Sequence, residues 1–107
     1  MENNIPLKDI SLESTFSAYE SKFKALADKK RLHILNLLCQ GEICVCDLSK
    51  MIEMPQSKLS YHLKILLDAG LILKETRGTW SYYKINEQEI NHLLSPELCC
   101  LFRPSSC

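Results

Sequence analysis

The stretch CVCDLSKMIEMPQSKLSYHLKILLDAG, residues 44–70, decides the fold. Val45, Leu48 and Ile52 recur at i, i+3 and i+7, the spacing of one face of a short helix. Glu53-Met54-Pro55 interrupts it, because proline is excluded from a helix interior and suits a helix entrance. Gln56 to Asp68 then reads as a second helix, with Leu59, Leu63, Leu66 and Leu67 as its buried stripe and Gly70 at the C-terminal cap position. Two short helices joined by a tight turn have helix-turn-helix proportions.

Upstream, Phe16, Tyr19, Phe23, Leu26 and Ala27 predict a helix from Ser14 to near Asp28. Arg31 to Cys39, with Leu32, Ile34, Leu35, Leu37 and Leu38, predicts an apolar helix stopped by Gly41. Downstream the period changes. Leu71–Thr76 and Trp80–Ile85 are rich in apolar, β-branched and aromatic residues and flank Arg77-Gly78-Thr79, which reads as a hairpin with a glycine tip, or wing. A last amphipathic helix runs from Asn86 or Glu87 to Leu94 and ends at Pro96. The expected fold class is mainly α with a β-hairpin, a winged helix-turn-helix. Residues 1–13 read as a flexible N-terminal tail, 14–98 as the domain and 99–107 as a cysteine-bearing C-terminal tail.

At 107 residues the chain has a thin core, and pairing with a second copy would help it. Its formal net charge is zero, but DNA binding depends on local charge. Between Gln56 and Lys84, the cations Lys58, Lys64, Lys74, Arg77 and Lys84 face only two acids, Asp68 and Glu75. The start of the chain has no apolar signal segment, and no run approaches the ~20 apolar residues of a membrane span. A cytoplasmic protein without membrane partners is expected, and there its six cysteines would be reduced and suited to metal binding or redox work.

On the second helix of the pair, the face opposite the leucines carries Ser57, Ser60, Tyr61 and Lys64, with Gln56 at the entrance. Amides and hydroxyls suit base edges and cations suit phosphates. The N-terminal residues of such a helix reach furthest into the major groove, so Gln56, Ser57 and Ser60 are expected on bases, with Tyr61 and Lys64 nearer the backbone and Lys58 also among the DNA-binding residues. Lys74 and Arg77 flank a wing tip that fits the minor groove. Alone, the helix face also fits a solvated surface; the wing tips the balance toward double-stranded DNA. His62 reads as a half-buried helix residue and Trp80 as a hairpin packing residue.

Three stretches together, Lys24–Leu32, Glu42–Leu48 and Gln56–Lys64, resemble the ArsR/SmtB family of bacterial metal-sensing regulators, in particular its arsenical-resistance operon repressors of Bacillus type. The resemblance covers roughly Phe16 to Leu101. It implies a homodimer joined through the first and last helices, an inverted-repeat operator, no permanent cofactor, and As(III) or Sb(III) as an inducer that releases the DNA. It also marks Cys44-Val45-Cys46-Asp47-Leu48 as a specific signal, since ordinary members have no cysteines there.

Cys44 occupies the place of a helix N-cap and Cys46 the first turn, where the helix N-terminus favours thiolate. Soft thiolates prefer soft acceptors. Residues two apart on a regular helix point to nearly opposite sides, so this pair is expected to share an ion only if the turn unwinds. Relatives of this site carry a third cysteine three residues after the second; here that position is Ser49. Either two thiolates suffice or the third comes from elsewhere: Cys39, among leucines, reads as core, whereas Cys99, Cys100 and Cys107 of the tail either complete the pair, form a separate three-thiol site, or are packing thiols without a ligand.

The alternatives are a cadmium, lead or zinc sensor of the same family and a thiol redox switch. The first lacks cysteines in Met1–Leu38, and the last helix offers only His92 with scattered acids. An enzyme is not expected, because no cysteine lies in a glycine-rich anion-cradling loop.

Overall fold

The computed structural model describes residues 5–93, with side chains from residue 12 onward except that of His92. The elements run α1 (Ile5–Leu26), α2 (Lys29–Leu38), β1 (Ile43–Cys44), α3 (Val45–Ile52), α4 (Gln56–Asp68), β2 (Ile72–Arg77), β3 (Trp80–Ile85) and α5 (Glu87–Leu93). α3 and α4 are the two helices of the predicted pair, and β2–β3 is the predicted wing. None of the described helices is long and apolar enough to cross a membrane.

Helix α1 starts at Ile5, not Ser14, so much of the stretch expected as a tail is helical. Pro6 sits in its first turn, where the missing N–H costs nothing. Helix α2 starts two residues earlier than expected because Asp28 caps it: its carboxylate accepts from the backbone N–H of Lys30 at 2.8 Å and of Arg31 at 3.1 Å.

One core joins all the layers. Ile34, Leu35 and Leu38 of α2, Leu48 of α3, and Leu59, Leu63 and Leu66 of α4 are fully buried against Ile72 of β2 and Ile90 of α5. The predicted stripes of α3 and α4 thus face inward. Helix α1 contributes little: Ala25 is buried, whereas Phe16 is 62% and Phe23 55% exposed, with Tyr19 and Leu12 exposed on the same helix.

The sheet has three strands in the order β1-β3-β2, all antiparallel. Strand β1 was not expected; at two residues it is too short for periodicity to reveal. It pairs Ile43 with Tyr83 and Cys44 with Tyr82, which places the first cysteine against the base of the wing. The wing turns at Gly78, whose φ of 65° favours glycine, between the paired Arg77 and Trp80. Trp80, the register partner of Arg77, is 52% exposed, so only about half of its surface is covered. Gly70, with φ 77°, ends α4; its carbonyl accepts from Asn86 Nδ2, and Lys22 Nζ donates to the Ala69 carbonyl at 2.7 Å, binding α1 and the start of α5 to the end of α4.

Candidate nucleic-acid interface and thiol site

Pro55 and the turn before it aim α4. Glu53 closes α3 in a left-handed conformation (φ 56°), and the Met54 N–H returns to the Ser49 carbonyl at 3.1 Å. Ser49 Oγ also donates to the Met54 carbonyl. The hydroxyl at the position where the family resemblance would put a third thiol is therefore committed to bracing the turn between the two helices.

Gln56, Ser57, Ser60, Tyr61 and Lys64 form a continuous exposed face of α4, and Lys58 is exposed on its flank. Lys64 Nζ pairs with Asp68 at 3.0 Å, with both side chains largely in water, so the ammonium is readily exchanged to another anion. Tyr61 is exposed and meets His62 edge-on. On the wing, Lys74 Nζ lies 5.9 Å from the centre of the Tyr83 ring. Arg77 stacks its guanidinium over Tyr82 at 4.4 Å and pairs with Glu42 and Glu75. Of the expected DNA-facing residues, it is the one held by two carboxylates.

Behind this face lies a polar hub that the sequence reading did not single out. Arg31 donates to the carbonyl of Ala25 at 2.7 Å, to that of Lys24 at 3.2 Å, and through Nη1 to Nδ1 of His62 at 3.1 Å. A guanidinium can only donate, so His62 accepts at Nδ1 and is neutral. His62 is 5% exposed rather than half-buried. Burial pushes its pKa down, Asp28 opposes this, and the charges of Arg31, Lys58 and Lys30 push it down further. The opening signal for this hub was present: an Asp immediately before an apolar helix is an N-cap pattern.

The Sγ atoms of Cys44 and Cys46 stand 3.3 Å apart. This overturns the expectation that the pair meets only on unwinding. The two-residue rule holds for residues within a helix. Cys44 precedes α3 with extended angles (φ −71°, ψ 146°), which turns its side chain back toward Cys46. Cys44 makes no side-chain cap, so the α3 amides have no thiol partner. The expected lowering of the thiol pKa is also not found for Cys46: the hydrogen bond with Cys44 comes first in pushing it up, and burial adds to this.

Cys44 is 8% exposed and borders an open cleft of about 580 Å³ that is also lined by Glu42, Ile43, Met51 and Tyr82. Cys39 is buried at the end of α2, as expected of a core thiol. Among the described residues, no three His, Cys, Asp or Glu side chains gather around one point. Cys99, Cys100 and Cys107 lie outside the described residues.

Comparison with known proteins agrees with this fold. The family described as "Bacterial regulatory protein, arsR family" matches residues 28–74, from the α2 cap to the wing. The arsenical resistance operon repressor of Bacillus subtilis is 70% identical over 86 residues, 79% of this chain and 82% of that protein. The repressor of the same description from Escherichia coli is 45% identical over 65 residues, 60% of this chain and 56% of that one. Among solved structures, the homodimeric winged helix-turn-helix DNA-binding domain of a possible ArsR-family regulator from Mycobacterium bovis superposes with a TM-score of 0.70 at 32% identity, covering 76% of this chain and 75% of that one.

Proposed function

Because the chain belongs to the arsR family of bacterial regulatory proteins, we propose that it acts as a homodimeric repressor in the cytoplasm and leaves an inverted-repeat operator when Cys44 and Cys46 capture As(III) or Sb(III). The observation that carries the inducer half is the 3.3 Å gap between the two sulfurs. With a metal–sulfur bond of about 2.3 Å, sulfurs at that gap subtend about 90° at a shared ion. A pyramidal trivalent ion bonding through p orbitals suits that angle. A tetrahedral zinc ion would spread the pair to about 3.8 Å.

Each As–S bond forms as a thiol replaces one hydroxyl of arsenious acid, with its proton leaving in the released water. Two such steps use Cys44 and Cys46. The third bond goes to a tail thiol among Cys99, Cys100 and Cys107, since Ser49 is engaged with Met54. Pulling on α3 is then passed through the Ser49–Met54 brace to Pro55 and the start of α4. The inducer and DNA favour different settings of that turn, so each weakens the other's binding. On α4, Gln56, Ser57 and Ser60 read base edges, while Lys58, Tyr61 and Lys64, with Lys74 and Arg77 of the wing, hold the backbone.

Fluorescence anisotropy on the operator tests this reading. Arsenite or antimonite should release the protein, and unchanged affinity at saturating inducer would overturn it. Cys44→Ser and Cys46→Ser should keep DNA binding and lose most of the response. A response lost only on replacing Cys99, Cys100 or Cys107 would move the site to a separate tail trio.

A further inference from the structure

The wing arginine already has two anionic partners that DNA would have to displace. Arg77 Nη2 lies 2.5 Å from Glu42 Oε1 and 3.1 Å from Glu75 Oε1, and its guanidinium covers the Tyr82 ring. The two carboxylates differ in kind. Glu75 lies on β2 two residues before Arg77 and travels with the wing. Glu42 immediately precedes β1, two residues before Cys44, and reaches the wing from the thiol side. Cys44 is in turn the register partner of Tyr82. One short path thus runs from the sulfur pair, through β1, to the cation at the wing.

We infer that Glu42 competes with DNA phosphate for Arg77, and that its hold is set by the state of the thiol pair that begins two residues further along the chain, at the end of β1. The second part rests on the inducer reading above; the first does not. Two carboxylates on one guanidinium offset the charge that Arg77 would otherwise offer to a phosphate, and leave Lys74 and Lys84, which line a cleft with Glu42 and Glu75, as the other cations of this corner. DNA binding then requires Glu42 to yield Arg77 to phosphate. An ion that fixes Cys44 against Cys46 fixes β1 and keeps Glu42 in place, so inducer and Glu42 act in the same direction. The electrostatics of the groups follow the same pairing. Hydrogen bonds to Glu75 and Glu42 raise the Arg77 pKa, and the hydrogen bond from Arg77 comes first in lowering that of Glu75.

The test is operator binding as a function of salt. Glu42→Gln should raise affinity roughly two- to fivefold, the scale of an exposed ion pair. It should also steepen the slope of log K against log salt by about one phosphate contact, which loss of a merely structural contact would not do. In an Arg77→Gln background the same substitution should change neither quantity. With arsenite, the fold-loss of DNA affinity should be smaller in Glu42→Gln than in the unsubstituted protein. An unchanged salt slope, or an equal effect of Glu42→Gln with and without Arg77, would overturn the competition. A steeper slope with an unaltered arsenite response would overturn the coupling. Failure of the unsubstituted protein to respond to arsenite would instead count against the proposed function, since the inducer-free salt comparison reads Glu42 and Arg77 alone.

Discussion

Arg31 Nη1 donates to Nδ1 of His62 across 3.1 Å, joining the first turn of α2 to the middle of α4. The same guanidinium holds the last carbonyls of α1. One side chain therefore connects the exposed helix, the core and the proposed DNA-reading helix, and it does so only while His62 is neutral.

Protonating His62 would remove the acceptor and set two cations against each other, with Lys58 and Lys30 nearby and Asp28 the one opposing charge. Its pKa in the fold lies below the ordinary 6.5, first because it is buried. The unfolded chain therefore binds this proton at higher pH than the folded one does. The stabilisation is complete above pH 6.5 and is lost as the pH falls through the lower folded value. Urea unfolding from about pH 8 to about pH 5 should show falling stability, less steep in His62→Gln. Identical pH dependence in the two proteins would refute this.

Asp28 carries the other half of the hub. Burial raises its pKa, but the backbone N–H of Arg31, the Arg31 charge and the N–H of Lys30 together hold it below the usual carboxylate value. Asp28→Ala should cost about 1 kcal/mol of stability, the usual loss for an N-cap, while Asp28→Asn should retain most of it. The part due to the carboxylate's charge is present above pH 3.8 and disappears as the pH falls below it. Chemical denaturation of the two variants at neutral pH separates cap from charge; equal losses would point to charge alone.

On α4, base-reading and backbone-holding residues should fail differently. Gln56→Ala should relax preference at particular operator bases by about 1–3 kcal/mol, the worth of a bidentate amide contact, and Ser57→Ala by less, since one hydroxyl makes a single contact. Lys64→Gln should weaken all sequences alike and reduce the salt slope by about one. Binding to operator variants across salt concentrations distinguishes them. A uniform loss for Gln56→Ala would remove it from the base-reading set.

Residues 44–70 could be parsed because helical periodicity and the Pro55 break are local signals. The hairpin could be parsed because its pattern of residue types differs from that of the helices. Contacts that depend on two segments meeting could not. Nothing in Glu42-Ile43-Cys44 announces a strand until Tyr82 and Tyr83 are beside it. The sulfur pair was misjudged because a rule for helix interiors was carried to a residue whose ψ of 146° places it before the helix. The start of α1 was misjudged because a polar run beginning near Pro6 fits a tail and an exposed helix equally well.

That exposed helix yields the last prediction. Leu12, Phe16, Tyr19 and Phe23 recur at intervals of four, three and four along α1, and all are exposed, with the rings of Tyr19 and Phe23 stacked at 6.2 Å. Apolar side chains at that spacing form one stripe, and a stripe of this size in water marks an interface. A second copy of α1 can cover it through a two-fold axis, so each substitution acts twice. Burying a phenylalanine contributes about 1.5–3 kcal/mol, so Phe23→Glu should weaken dimerisation by at least about a hundredfold. Because Phe23 stands outside the core, the monomer should keep its helical circular dichroism. Sedimentation should therefore show a folded monomer with much reduced operator affinity, since the two half-sites would no longer be bound by one particle. A Phe23→Glu protein that sediments as the unsubstituted one does would place the interface elsewhere.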